Sequence, residues 1–304
     1  MRAPSLGFIA PSGCLPKRQI ADRAARFFTR RGWRVQAGES VFTREQRFAG
    51  SDELRASDLQ RFAVDRSLDV VMAVRGGYGL SRILDRLDYA AIARAGRILV
   101  GYSDFTAFNL ALLAQAGAIS FQGPAASDFA AARPDPFTIE QFFATLASRR
   151  HALRFDADGT DLSVKGMLWG GNLALVCALL GTPYFPAVRG GILFLEDVNE
   201  PAYRLERMLF QLHHAGVLAR QRAILLGAFD PVPPMPNDGG YDLHAAVERI
   251  RAATATPIVT GLPFGHVSRK ATLPVGAPAQ LIVRGAAAEL AFSGHPTLKL
   301  MQRW

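Results

Sequence analysis

Cysteine is scarce in this sequence: Cys14 and Cys177 are the only two in 304 residues. Two isolated cysteines build neither a disulfide framework nor a zinc site. Cys177, inside GNLALVCALLG, reads as a small core residue. Long apolar runs are missing as well. No stretch reaches the ~18 uninterrupted apolar residues of a membrane span, and Gly7-Phe8-Ile9-Ala10 near the N-terminus is too short for a signal peptide. Both absences point to a cytoplasmic protein with no membrane partner. Acidic residues are outnumbered, 26 against 35 Lys and Arg, for a net charge of +9. Such a balance suits nucleic acid, an anionic surface or an acidic small substrate. The arginines are scattered, however, and no dense basic block is interleaved with aromatics, so no nucleic-acid partner is expected. Nor is there an H-x-x-x-H or acid–histidine spacing that suggests a metal.

What is present is the balance of a globular chain, 49% apolar and 20% charged, long enough for one large or two ordinary domains. The first half alternates strand-like and helix-like segments: SLGFIAPSG, then QIADRAARFFTRRG closing on Gly32; WRVQAG, then SDELRASDLQRFAVDRS with helix-start chemistry at its serine; DVVMAVRGGYG, then LSRILDRLD as a helix; GRILVGYSD, then FTAFNLALLAQAG closed by Gly117; and finally AISFQGP. This alternation predicts a parallel sheet covered by helices. From about residue 125 to 165 the pattern loosens, with ARPDPF and FDADGTDLS rich in turn residues. The expected domains are an N-terminal α/β domain over 1–145, a linker over 146–164, and a β-rich α+β domain over 165–304. Strands of the last are GGILFLEDVN, AILLGAF, TPIVTGL, ATLPVGAPAQLIV and AELAFSG.

Four places could carry chemistry. In ILVGYSDFTA an apolar run stops at Gly101, and Ser103 stands at the start of a helix. That helix end supplies free N–H groups and partial positive charge, which stabilise an oxyanion. The G-x-S-x-G elbow works this way, but its last glycine is replaced here by Phe105. The plain alternative is a serine that caps its helix. In VRGGYGLSR, Gly76, Gly77 and Gly79 let backbone N–H groups approach a ligand closely. The loop lacks both the Walker lysine and the Rossmann spacing. It could donate a second oxyanion N–H beside Ser103, or be an ordinary tight turn. In ILFLEDVNE, Glu196 and Asp197 end an apolar strand on opposite faces, and a buried acid needs a partner such as a histidine N–H. Period two does not choose between them. Of six histidines (His151, His213, His214, His244, His266 and His295), only His266, in GLPFGHVSRK, stands in a glycine-flanked loop after a strand. It is the best candidate base.

Taken in order, IAPSG, AVRGGYGLSRIL, GYSDFTA, GMLWGGNLALV, GILFLEDVNEPAYRLERML, GLPFGH, ATLPVGA and the FSGHPTLKL ending resemble the serine LD-carboxypeptidases, peptidase family S66, nearly end to end. The resemblance implies Ser103 as nucleophile, His266 as general base, and Glu196 rather than Asp197 as the acid that orients it. It implies oxyanion donors at the backbone of Gly77, helped by Gly76, and of Asp104. It places the site between an N-terminal α/β and a C-terminal β-rich domain. The implied activity is hydrolysis of the bond between an L-centre diamino acid and the terminal D-alanine of a murein tetrapeptide, without metal or organic cofactor, in cytoplasmic peptidoglycan recycling. A terminal carboxylate needs a binding group, and a guanidinium fork fits one. Arg75 and Arg204 are the candidates, with Tyr78 beside the glycines as a further substrate-binding residue. Family resemblance also suggests a homodimer. Within the family, the microcin self-immunity branch, which acts on peptidyl or aminoacyl nucleotides, is the alternative. One departure is visible: Ala125 follows Gly123-Pro124 where relatives often carry methionine.

Overall fold

The computed structural model describes residues 2–230, 232–233 and 236–298. Residues 299–304, the end of the expected second domain and of the FSGHPTLKL segment, lie outside them.

The first half folds as the alternation predicts. Strands β1 (Ser5–Ile9), β2 (Arg34–Ala37), β3 (Val70–Ala73), β4 (Ile98–Gly101) and β5 (Ser120–Gln122) are mutually parallel. Helices α1 (Gln19–Thr29), α2 (Asp52–Val64), α3 (Tyr89–Ala95) and α4 (Phe105–Ala116) lie between them in sequence. Ser51 caps α2 by accepting the Leu54 N–H, and Gly117 closes α4 in the left-handed region. One face of the sheet packs Phe8, Phe28, Trp33 and Phe121 against aromatics from the segment after β5. On the other face α4 is buried from Phe105 to Leu113 without a polar side, which fits a helix enclosed all round. Its core is continuous with Leu168, Trp169 and Phe194 of the second half.

Three expectations before residue 165 are corrected. LSRILDRLD is two short 3-10 turns, Leu80–Arg82 and Leu84–Arg86, not a helix. The loosened stretch before residue 146 holds α5 (Ala126–Phe129) and α6 (Pro136–Ala147); Asp135 caps α6 and Pro136 sits in its first turn, a start signal hidden among turn residues. The linker 146–164 contains β6 (Arg150–Asp156) and the start of β7 (Leu162–Asn172); β6 pairs with the last strand of the second sheet.

The second sheet is half parallel and half antiparallel. Strands β7, β8 (Ile192–Val198), β9 (Ala223–Asp230) and β10 (Ile258–Val259) run parallel, with α7 (Leu173–Ala178), α8 (Ala202–His214) and α9 (Leu243–Ala253) in their connections. The segment ATLPVGAPAQLIV is not one strand. It is split at Gly276, φ +97°. β11 (Leu273–Val275) joins the first sheet beside β5, antiparallel, while β12 (Pro278–Arg284) pairs with β7 and with β13 (Ala287–Ser293) in the second. The strand orders are β11-β5-β4-β3-β1-β2 and β10-β9-β8-β7-β12-β13-β6. The chain therefore crosses from the second sheet back to the first between β10 and β11, and His266 lies on that crossing. Among the described residues, no helix is long and apolar enough to cross a membrane.

Candidate active site

β4 ends at Gly101 and α4 starts at Phe105, which leaves three residues for the turn. Ser103 takes φ +61°, a region that side chains with a Cβ avoid at a cost of roughly 1–2 kcal/mol. Strain of that kind persists only where the surroundings impose it. Here α4, buried from Phe105 to Leu113, fixes one end and the sheet fixes the other. The Ser103 side chain does not cap the helix; its Oγ lies 2.9 Å from His266 Nε2.

The imidazole is seated by an irregularity in the second sheet. The β8–β9 pairing shifts register between Leu195 and Asp197, so Gly227 and Ala228 on β9 span the space opposite Glu196. Bulges of this kind re-aim side chains. The Ala228 N–H is taken by the Phe264 carbonyl at 2.7 Å. Gly265 then bends with φ +141°, so close that a Cβ there would lie 3.3 Å from Glu196 Cβ. His266 follows, and its Nδ1 lies 2.7 Å from Glu196 Oε2, which is completely buried. A carboxylate in that setting holds Nδ1 protonated and leaves Nε2 to accept from the serine.

Alternation along β8 sends the neighbouring acid the other way. Asp197 accepts hydrogen bonds from the Asn172 amide, the Ala174 N–H and its own following N–H at Val198. Burial, which dominates over these bonds, pushes its carboxyl above the ordinary range. It anchors the start of α7. Asn172 in turn gives its backbone N–H to Thr106 Oγ1 on α4, and Thr106 also receives the Gln122 amide. This buried polar seam joins the two domains behind the Ser103–His266 pair.

The glycine loop closes the other side. Gly76 lies so near the elbow that a Cβ would come 2.5 Å from Ser103 Cβ, 2.7 Å from its Oγ and 3.3 Å from the Asp104 nitrogen. Only glycine leaves that space open. Gly77, φ +111°, packs over Gly13. Two buried side chains that the motif reading passed over hold this loop. Asp104, 1% exposed, accepts the Leu80 N–H through Oδ2 at 2.9 Å. Burial raises its pKa most, with Ser12, Leu80, Arg55 and Gly79 acting the other way. Arg55, fully buried, donates to the Pro11 and Gly79 carbonyls at 2.6 and 3.0 Å and pairs with Asp52. In sequence, DELRASD shows only a charged helix turn; nothing in it marks Arg55 as interior.

The substrate-binding candidates fare differently. Arg75 donates to the Cys14 carbonyl at 2.9 Å and has no acidic partner among the described residues. Tyr78 is 43% exposed on the same loop and packs against Phe48, with the Arg47 guanidinium above it. Arg204 is paired with Glu200 at 3.0 Å on the first turn of α8, which occupies its guanidinium. Ala125, the departure from methionine, is fully buried. A concavity of about 820 Å³ on the antiparallel half of the second sheet is lined by Arg150, Lys165 and Met167, and none of Ser103, His266 and Glu196 reaches it. Among the described residues, no cluster of three or more His, Cys, Asp or Glu could hold a metal ion.

A strained serine, an imidazole and a buried carboxylate in one hydrogen-bonded line, on a two-domain α/β scaffold, form the arrangement that serine hydrolases use. The chain belongs to the LD-carboxypeptidase family, peptidase S66: residues 6–123 match its N-terminal domain and 165–281 its C-terminal domain. A putative carboxypeptidase of Streptomyces coelicolor is 36% identical, the match covering 90% of this chain and 88% of the relative. The crystal structure of muramoyltetrapeptide carboxypeptidase from Oxalobacter formigenes superposes with a TM-score of 0.91 at 40% identity, covering 96% of this chain and all of that one. Microcin C7 self immunity protein, at 22% identity, shares the fold with a TM-score of 0.87 over 98% of each chain.

Proposed function

We propose that this protein is a serine carboxypeptidase that removes the terminal D-alanine from murein tetrapeptides by cleaving its bond to the L-centre diamino acid. The observation that carries the reading is the line Ser103 Oγ–His266 Nε2, His266 Nδ1–Glu196 Oε2, at 2.9 and 2.7 Å. Its context is a family of LD-carboxypeptidases and a muramoyltetrapeptide carboxypeptidase at 40% identity.

In this mechanism His266 Nε2 takes the Ser103 proton as Oγ attacks the scissile carbonyl. Negative charge forming on the carbonyl oxygen is received by the backbone N–H groups of Gly77 and Asp104. Glu196 holds the tautomer and stabilises the imidazolium. The imidazolium then protonates the departing D-alanine amine, and the C–N bond breaks. Water, deprotonated by the same imidazole, hydrolyses the acyl-serine and frees the tripeptide. Arg75, with a guanidinium free of carboxylates, is the favoured partner of the terminal carboxylate; Tyr78 forms the adjoining wall. Arg204 takes second place because Glu200 already holds it. A role in cytoplasmic peptidoglycan recycling and action as a homodimer complete the proposal.

Ser103→Ala should abolish D-alanine release from a defined tetrapeptide, by roughly 10³-fold or more, with an unchanged thermal midpoint. Turnover retained in that variant overturns the nucleophile assignment. The microcin-type likeness reaches the fold alone, so an aminoacyl-nucleotide substrate belongs in the same assay as the comparator. Preference for it would move the protein to that branch of the family.

A further inference from the structure

The mechanism needs His266 to stay in register with Ser103, yet the two come from different sheets. Two in-plane hydrogen bonds fix the imidazole along the Nδ1–Nε2 direction and leave displacement out of the plane unopposed. The structure assigns that restraint to Tyr102, backed by the buried Lys270–Asp128 ion pair: Lys270 and Asp128 are positioning residues that hold the imidazole against Ser103.

Four observations build the device. Tyr102 is the residue before Ser103, and its ring meets the His266 ring at 5.1 Å between centroids with planes 61° apart. The Lys270 ammonium stands 4.1 Å over the Tyr102 ring, a cation–π contact strengthened by burial. Lys270 is 1% exposed, and its Nζ lies 2.7 Å from Asp128 Oδ1. The other Asp128 oxygen accepts the Ala125 N–H at 2.8 Å, which fixes the carboxylate at the start of α5. The backbone repeats the anchorage: the Lys270 N–H donates to Thr138 Oγ1 at 2.8 Å, and that hydroxyl donates to the Ser268 carbonyl at 2.6 Å. Upstream, His266 is tied to the second sheet through Phe264 and Ala228; downstream, residues 268–275 are tied to the first. The base is therefore clamped from both domains, and Lys270 is the charged end of the clamp on the nucleophile's side.

A buried ammonium is tolerated only when paired. Beside an imidazole that becomes cationic during acyl transfer, an unpaired ammonium would also repel the developing charge. Asp128 removes that repulsion. The charged and titratable groups around the imidazole are Glu196 from β8, Tyr102 from the elbow with Lys270 and Asp128 behind it, and Arg75 within electrostatic range of the Tyr102 hydroxyl.

The proposal rests on the serine-hydrolase reading, so its test uses the rate at which a fluorophosphonate labels Ser103, which needs no natural substrate. Lys270→Met should slow labelling by about 100-fold, the scale of a sub-ångström to 1 Å misplacement. On tetrapeptide the loss should fall on kcat and leave KM within about twofold. Asp128→Asn should move the acid limb of the labelling rate to lower pH, by a few tenths to about one unit, because it strands a positive charge near the base. The double variant Asp128→Asn/Lys270→Met should restore the limb to its wild-type position while staying slow. Wild-type labelling in Lys270→Met, or an unmoved limb in folded Asp128→Asn, overturns the proposal. Should Lys270→Met not fold, Tyr102→Leu decides: wild-type labelling there equally overturns it. Labelling that persists in His266→Ala strikes instead at the hydrolase reading. A wild-type protein that is labelled but leaves tetrapeptide intact removes only the substrate.

Discussion

The carboxyl edges of the two sheets contribute to one site by opposite means. At the edge of the first sheet the backbone does the work: Ser103 sits at φ +61°, and the glycine loop approaches it within a distance no side chain would allow. At the edge of the second sheet, where Gly265 bends the crossing at φ +141°, side chains do the work, with two adjacent buried acids pointing to opposite faces of a strand that carries one register shift. An exposed nucleophile needs an unusual conformation because a regular strand or helix would bury its oxygen or point it along the surface. A buried acid needs nothing unusual, since strand alternation aims it; it needs donors. Glu196 has found an imidazole and Asp197 a set of amides, so identical chemistry one residue apart seats His266 beside Ser103 in one case and anchors the start of α7 in the other.

The contrast between the two acids is the first place to break this picture. Glu196→Gln should lower kcat by about 10³–10⁴-fold with little change in stability, because an amide can hold the wrong imidazole tautomer. Asp197→Asn should do the reverse. Its side chain would keep one acceptor oxygen for three donors, which costs about 1–3 kcal/mol of unfolding free energy, while kcat falls far less. Steady-state kinetics beside urea unfolding of both variants separates the roles. Comparable kinetic losses in the two would mean that the seam and the proton path are a single unit.

On the first sheet the sharpest probe is Gly76→Ala. Its Cβ would press against Ser103 and the Asp104 N–H, and a loss of about 10²–10³-fold in kcat, the scale of one missing oxyanion donor, is expected. Because Gly76 itself avoids positive φ, alanine is compatible with the backbone there and the fold should survive, which circular dichroism will verify. An active Gly76→Ala would show that the loop can withdraw from the elbow and that the close approach is not required.

Much of this was legible in the sequence. Strand–helix alternation announces the first sheet, and the GYSD, LED and FGH segments name the three residues that the fold brings into line. Other features left no local trace. The strand inside the expected linker escaped because β6 alternates weakly, with exposed Arg150, Arg154 and Asp156 around a single buried Leu153. The split of ATLPVGAPAQLIV between two sheets turns on one positive-φ glycine among apolar residues. Arg55, Lys270 and Asp128 have the appearance of surface charge until their distant partners, Gly79 24 residues from Arg55 and the 142-residue Lys270–Asp128 pairing, are seen. Local patterns show where a chain bends and which face is apolar; which buried charge meets which partner is decided by tertiary contact.

A third polar region sharpens the comparison through its response to pH. His151 and His295 lie where β6 and the C-terminal end of β13 pack against α6, each touching the Phe292 ring. His151 Nε2 is 2.8 Å from Gln141 Oε1, and His295 Nε2 is 3.0 Å from the Thr145 carbonyl. Burial lowers the pKa of both, and His295 further disfavours charge on His151; Glu140 offsets this for His151, and the Thr145 and Ser148 carbonyls offset burial for His295. The His295 Nδ1 is buried without a hydrogen-bond partner. A lowered folded-state value means that the unfolded chain binds protons first. The stabilisation is then complete above the ordinary histidine pKa of about 6.5 and is lost as pH falls through the folded values. Each histidine can contribute a slope of at most about 1.4 kcal/mol per pH unit. The acids Asp104 and Asp197, whose values are raised, give the opposite sign: their contribution is present below the ordinary carboxyl range and fades as pH rises through their folded values. Urea midpoints should therefore fall between pH 7.5 and 5.5, and His295→Gln, which keeps a donor to the Thr145 carbonyl without titrating, should flatten that fall. An unchanged slope in His295→Gln would place the acid sensitivity elsewhere than at His295.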